Sequence, residues 1–250
     1  MNGFSFLIID LFTRTVNSFF KRNFDSKKTA KALLEILIHE FENNESLNHN
    51  FTKIQVIHDN EMQSLVPSAL FEESNLSDYL KYNTKIFKTD FITYDVINNQ
   101  DIILAYVPFV NINNFIYERY GSFEYKHNST ALIEKILQIN SNKNDNNLFV
   151  NVNTSYFELV VLKSNSLVFY NRFEYSNKED FIYFILFTIE QLDLNVQKIN
   201  STFFGSISSD DELFLIAYKY IRNVSILSTK KMNYLNEENT RNFTILNSVK

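Results

Sequence analysis

Apolar residues alternate with period two from Gly3 to Phe12. Phe4, Phe6 and Ile8 fall on one face and Ser5, Leu7 and Ile9 on the other, which predicts a strand. Thr15–Phe24 predicts the next strand, with Arg14 near the turn. The period then changes. Ala30, Leu33, Leu34, Leu37, Ile38 and Phe41 recur at helical spacing, with Asp25 or Ser26 available as a cap. After a loop over Asn43–Asn50, short strands are expected at Lys53–His58 and at Glu61–Val66, the latter ended by Pro67. A short helix follows around Leu76–Leu80, then an antiparallel hairpin, Phe91–Ile97 and Asp101–Pro108, turning at Asn98-Asn99. Ile112–Tyr120 is helical, with Gly121 as its stop.

The second half repeats this plan. Ser122–His127 is an expected strand and Thr130–Ile139 an amphipathic helix carrying Leu132, Ile133, Ile136 and Leu137. After the polar stretch Asn140–Asn147 come three strands, Leu148–Asn153, Tyr156–Lys163 and Leu167–Tyr175, with a turn at Ser164-Asn165. Ser176 and Glu179 are spaced as a capping box before an apolar helix over Phe181–Leu192, and Ser209 and Glu212 are spaced alike before a helix bearing Leu213, Ile216, Ala217, Tyr220 and Ile221. Strands are expected at Lys198–Phe204 and Val224–Leu227, and the tail beyond Ser228 is polar until Phe243–Leu246.

Two stretches align. Phe4–Asp10, Asn17–Phe24, a helix and the strand at Ile54–His58 match Tyr156–Leu162, Val168–Phe173, a helix and the strand at Thr202–Phe204. This is an internal duplication of hairpin, helix and strand. The second copy has one more strand at its front, Leu148–Asn153. Three explanations are open for the first copy: the true start lies upstream of Met1, the chain has lost an edge, or another chain supplies the strand.

Composition narrows the chemistry. The 250 residues include 3 Gly, 2 Pro, no Cys and no Trp. Thiolate metal sites, iron–sulfur clusters and disulfides are excluded, and glycine-rich phosphate loops have almost no glycine to build from. The formal net charge is −5 with both signs scattered, so no basic stripe favours nucleic acid. Phe4–Asp10 is short and follows no basic region, and the apolar run at Phe181–Ile189 falls far below the roughly 20 residues of a bilayer span. A cytoplasmic chain without a membrane span is expected.

Several motifs carry a resemblance. They are Tyr106-Val-Pro-Phe-Val110, Phe115-Ile-Tyr-Glu-Arg-Tyr-Gly121, Phe149-Val-Asn-Val152, Phe169-Tyr-Asn-Arg-Phe-Glu174, Glu179-Asp-Phe-Ile-Tyr183 and Asp211-Glu-Leu213. Over roughly Gly3 to Leu227 the chain resembles an uncharacterised bacterial domain-of-unknown-function family with an actin-like ATPase fold. It is more distantly similar to the pilus-assembly and cell-division actin-like proteins, where a hydrophobic strand ending in Pro, a helix and a Gly lead into the second domain, as Pro108 and Gly121 do here. The resemblance implies an α/β chain of tandem ribonuclease-H-like domains, with mixed sheets flanked by helices and the first domain lacking its first strand. The expected domains are residues 1–121 and 122–250.

It also implies where a nucleotide would sit: between two hairpin turns, one per domain, each carrying Asp and then Gly. The second-domain turn reads Asn151-Val-Asn153-Thr154-Ser155, with Asn151 in the Asp place and Asn153 in the Gly place. Asn tolerates left-handed backbone, so the turn shape can persist while the anionic metal contact is lost. In the first domain only Met1-Asn2-Gly3 remains of the turn, and the adenosine loop offers only Gly205 followed by Ser206. The nucleotide-site candidates are therefore Asn151, Asn153, Thr154, Ser155, Gly205 and Ser206. No cofactor is expected, with ATP and Mg²⁺ as the alternative.

Elsewhere, His39, His49, His58 and His127 lack metal-ligand spacing, while Asp10 and Asp59 with Glu61 are a weaker cation candidate. Tyr117, Arg119, Tyr120 and Tyr125 form a candidate interaction patch. The expected function is a non-catalytic scaffold or interaction module, not an enzyme, with an unknown protein partner or self-association. The alternative is a nucleotide- or phosphometabolite-binding protein or ATPase with a divergent interdomain site.

Overall fold

The computed structural model describes residues 3–13, 15–26, 28–140, 144–227 and 243–247. The expected turn at Asn2, Arg14 beside the first hairpin turn, and most of the tail beyond Ser228 lie outside them. Packing divides the chain into two units, Met1–Glu134 and Lys135–Lys250.

In the first unit the alternating start forms β1 (Gly3–Asp10), antiparallel to β2 (Thr15–Asn23) with a bulge between Ile8 and Ile9. Both Phe12 and Thr13 backbone N–H groups donate to the Asp10 carboxylate at 2.8 Å and fix the turn. Next comes α1 (Ala30–Asn43). Its cap is Thr29, whose hydroxyl accepts from Ala32 N at 3.2 Å, and not Asp25 or Ser26. Those two stand too far ahead of the first helical residue to reach its open N–H groups.

The chain continues through β3 (Gln55–His58), β4 (Gln63–Pro67), α2 (Leu76–Leu80), β5 (Thr93–Val96), β6 (Ile102–Tyr106), α3 (Val110–Tyr120) and β7 (Glu124–His127). β3 pairs in parallel with β7, while β4, β6 and β5 form a separate antiparallel sheet in that spatial order. Asn99 turns the β5–β6 hairpin with φ 61°. Gly121 ends α3 at φ 79°, its N–H donating to Tyr117 O at 2.8 Å. The core is formed by Leu33, Leu37 and Phe41 of α1 with Ile112 and Ile116 of α3. Phe4, Phe6 and Ile8 of β1 pack against it, as do Ile54 and Val56. The expected boundary after Gly121 would cut β7 away from β3; the observed division, after Glu134, keeps that pair together.

α4 (Asn128–Ile139) leads into the second unit. There follow β8 (Asn146–Val152), β9 (Tyr156–Lys163), β10 (Ser166–Glu174), α5 (Lys178–Gln191), β11 (Asn200–Gly205), α6 (Glu212–Tyr220), β12 (Asn223–Ile226) and the short α7 (Phe243–Asn247). One mixed sheet runs β10-β9-β8-β11-β12. Its first three strands are antiparallel, and β11 is parallel to both β8 and β12. Ser164 and Asn165 take φ 48° and 64°, as a tight hairpin turn requires. Leu148, Val150, Val152, Phe157, Leu159, Val161 and Phe203 face Phe181, Ile185 and Ala217 of α5 and α6.

Neither expected capping box forms. Asn177 caps α5, its side-chain oxygen accepting from Asp180 N at 2.8 Å. Asp211 precedes α6, and its carboxylate turns back to accept from Ser208 N at 2.7 Å. At α5 a closer Asn displaces the serine, while at α6 the Asp211 side chain makes no cap bond to the helix. Among the described residues no helix is long and apolar enough to cross a membrane.

Candidate functional site

The β8–β9 connection holds most of the candidate nucleotide residues. Asn153 N donates to Tyr156 O at 2.9 Å, closing a short turn that leaves Thr154 and Ser155 exposed. The Tyr175 hydroxyl donates to Asn153 O at 2.7 Å and ties the turn to the end of β10. Asn153 is not among the left-handed residues of the described chain, which are Asn99, Ser164, Asn165, Asp193, Gly121 and Gly205. The turn closes without using the left-handed backbone that Asn tolerates.

Gly205, by contrast, requires its glycine. It sits at φ 90°, and a Cβ there would stand 2.3 Å from Val152 O and 2.8 Å from the Asn151 side-chain oxygen. Ser206 N donates to Val152 O at 2.7 Å. Asn151, Gly205 and Ser206 therefore meet where β8 and β11 end.

Asn151 is buried, and its amide nitrogen donates to a Glu158 carboxylate oxygen at 2.8 Å. The other Glu158 oxygen accepts from the Tyr170 hydroxyl at 2.9 Å. Glu158 is 1% exposed and lies opposite Asn151 in one ladder and opposite Arg172 in the next, so all three share a sheet face. The Arg172 guanidinium carbon lies 3.4 Å over the Tyr156 ring. Phe204, beside Asn151 in the parallel ladder, packs at 4.4 Å between ring centroids on Phe243 of α7. The sequence signal for this network was a lone carboxylate inside the apolar run Tyr156–Leu162, whose partners could not be read from one strand.

A second polar cluster lies inside the first unit. His58 and His127, both about 1% exposed, are directly paired in the β3–β7 ladder. Phe109 N donates to His58 Nδ1 at 3.4 Å, leaving Nε2 to donate to the Asn113 side-chain oxygen at 3.0 Å. Likewise Ser129 N donates to His127 Nδ1 at 3.1 Å, and His127 Nε2 meets Asn60 O at 3.2 Å. Burial brings the His58 pKa down to about 4, against the opposing hydrogen bond to Asn113. Asp95 accepts from His127 N at 2.8 Å and from the Tyr106 hydroxyl at 3.2 Å. Burial pushes the Asp95 carboxyl up, while these bonds pull it down. The same desolvation drives the Tyr106 phenol well above its ordinary range. With both nitrogens of each ring engaged, this cluster reads as an internal brace.

The remaining candidates scatter. Asp10, the last residue of β1, has its carboxyl pKa lowered by the Thr13 and Phe12 N–H bonds. Among the described residues no group of three His, Asp or Glu could hold a metal ion. Arg119 donates to Phe41 O at 3.2 Å and to the Asn48 side-chain oxygen, and lies 5.7 Å from the Phe41 and Tyr120 ring centroids. The Tyr120 hydroxyl donates to Leu47 O at 2.7 Å, and Tyr125 meets His58 edge-on at 5.8 Å. Of the four, Tyr117 and Arg119 are exposed, Tyr117 at 62%, while Tyr120 and Tyr125 are half-buried. A shallow concavity of about 320 Å³ is lined by Arg22, Glu35, Ile36 and His39, none of them a candidate.

Comparison with solved structures defines the class. The chain has the actin-like ATPase fold: it superposes with a TM-score of 0.79 on a protein from Bacteroides thetaiotaomicron described as having that fold and unknown function. The two are 21% identical, over 90% of this chain and 87% of that one. A type IV pilus biogenesis complex, PilM–PilN, matches at a TM-score of 0.62 and 9% identity, over 99% of this chain and 94% of that one. The chain belongs to the family described as "Protein of unknown function (DUF3822)", whose model matches residues 1–224. No curated protein matches it.

Proposed function

We propose that this chain is a non-catalytic scaffold or protein-interaction module of the actin-like class, made of tandem ribonuclease-H-like units and without ATP hydrolysis. The use of Asn151 carries this reading. Where an ATPase of this class would hold an Asp, the chain has an amide whose nitrogen bonds a buried Glu158. That carboxylate is in turn engaged by Tyr170 inside the sheet. Neither group is offered to a phosphate-bound cation, so the residues do not fit Mg²⁺–ATP. A protein partner is in keeping with PilM, solved in complex with PilN. On this chain Tyr117 and Arg119 are the exposed patch residues for such a contact.

A second reading, a nucleotide- or phosphometabolite-binding protein, draws on Gly205. Its backbone still lies against Val152 O, beside the exposed Thr154 and Ser155 hydroxyls. A thermal-shift titration with ATP, ADP and inorganic phosphate, with and without Mg²⁺, separates the two, since a ligand of the native state raises its stability. The expected result is an unchanged midpoint and no phosphate release. A saturable rise that is lost on Thr154→Ala with Ser155→Ala would establish the second reading instead.

A further inference from the structure

We propose that the outer face of α5 and α6 in the second unit is a docking surface for a cationic amphipathic helix of a partner protein, held by Tyr183 and Phe187 and by the acids that bracket them.

The two helices form one layer. β10, β11 and β12 all run in the same direction, since β9 is antiparallel to both β10 and β8, and β11 is parallel to β8 and β12. α5 joins β10 to β11 and α6 joins β11 to β12, so the helices lie side by side with their starts together. The ion pair from Lys178 to Glu212, at 3.2 Å, spans those starts. The inner positions are fully used: Phe181, Ile185 and Ile189 of α5 and Ala217 of α6 are buried against the sheet.

The outer positions carry more apolar surface than the fold needs. Tyr183 and Phe187, four apart on α5, are exposed and stack on each other at 5.8 Å between centroids and 20° between planes. Leu215 and Tyr218, three apart on α6, are exposed too, Tyr218 at 64%. None of the four belongs to the core that holds the helices on the sheet. Spacings of three and four put each pair on one side of its helix, as helix-binding surfaces present their anchors. Large apolar side chains gathered on two adjacent helices mark an interaction site.

Charge selects the partner. Glu179, Tyr183, Phe187 and Glu190 follow one another at spacings of four, four and three, so they lie along one stripe with an acid at each end. Glu179 in the first turn also suits the helix dipole. Glu190 near the far end opposes it, and the last turn has no basic residue. The dipole accounts for one acid only, whereas a cationic partner accounts for both. Lys178 is the one base of α5, and it is taken up by Glu212. Asp210 and Asp211 add negative charge where α6 begins, while Lys219 and Arg222 stand at the end of that other helix. The same acids disfavour other occupants. Laying α5 on α5 of a second copy, in either direction, sets acid against acid, and an anionic lipid surface or a nucleic acid is repelled.

The face gives the interaction module proposed above a partner of stated chemistry, and so rests on that reading. Its occupant is a helix with apolar residues at i, i+3, i+4 and i+7 and with Lys or Arg around them.

The test is fluorescence anisotropy with a synthetic peptide as long as α5, with leucines at those positions and lysines elsewhere, and with a twin carrying glutamates for the lysines. The full chain is expected to bind the lysine peptide saturably, more weakly as salt rises, and not to bind the twin. Tyr183→Ser with Phe187→Ser should weaken binding by about tenfold or more and leave melting nearly unchanged, because both side chains are exposed. Glu179→Lys with Glu190→Lys should reverse the preference between the two peptides. No saturable binding, binding that ignores the serine pair, or equal affinity for the twins overturns the proposal. So does a dimer in sedimentation velocity that the serine pair disperses, which assigns the face to a second copy. The two readings fail separately: a melting rise with Mg²⁺–ATP counts against a module without nucleotide, whereas loss of peptide binding counts against this face alone.

Discussion

β9 and β1 hold corresponding places in the two units, each leading a hairpin into a helix, yet their burial differs. β9 is buried from Phe157 to Leu162, while every residue of β1 keeps partial exposure. Both strands carry an alternating apolar face, and both lie on an amphipathic helix. What differs is the neighbour on the other edge: β9 has β8, and β1 has no strand there among the described residues. Side-chain hydrophobicity alone therefore does not set burial. A strand is sequestered when both its edges are paired, and the central strand of a five-stranded sheet decides this for two neighbours at once.

The comparison can be strained first at its tightest contact. Gly205→Ala places a Cβ 2.3 Å from Val152 O at φ 90°, and should destabilise the second unit by about 4 kcal/mol in chemical denaturation. Gly121→Ala, at φ 79° with open space around it, meets only the backbone penalty and should cost about 1–2 kcal/mol. Equal losses would mean that contact between β8 and β11 adds nothing.

Truncation of matched core residues comes next. Leu159 is fully buried, so Leu159→Ala should cost about 3 kcal/mol. Phe6→Ala removes more atoms from a half-buried site, yet should cost only about 1–2 kcal/mol by the same measurement. A larger loss at Phe6 would show that β1 is as well covered as β9.

Acid should act through the first unit. His58 is neutral in the native chain down to about pH 4, whereas the unfolded chain takes up its proton near 6.5. The unfolded state binds more protons between those values, so stability is complete above about pH 6.5 and falls as pH drops toward 4, by about 2–3 kcal/mol. Asp95, raised by burial, contributes the opposite slope just above its ordinary range. Denaturation midpoints across this window should lose most of the slope in His58→Leu. The smallest effect belongs to Tyr117→Ala, which should shift melting by less than about 0.5 kcal/mol because the side chain is exposed.

Local periodicity made much of this fold legible. The strand Tyr156–Lys163 and the helix Leu76–Leu80 have the limits their patterns predict, because each pattern is local. Caps were misplaced where two polar residues competed within a few positions, as at Ser176 and Asn177. Pairings distant in sequence were not legible at all. Nothing near His58 announces His127, and nothing near Asn151 shows that Glu158 will take its amide; both pairs exist only once strands align. The candidate turn is legible in its residue types, whereas the bond from Asn151 to Glu158 appears only once the strands are aligned.

Native-state hydrogen exchange, read residue by residue, tests the central contrast most directly. Amides of β8, β9 and β11 should open only with global unfolding of their unit, whereas those of β1 and β3 should exchange by a much cheaper local route. Equal protection of β1 and β9 would contradict the account, because it would mean that the first unit already has its central pairing without the strand that the second unit gains from β8.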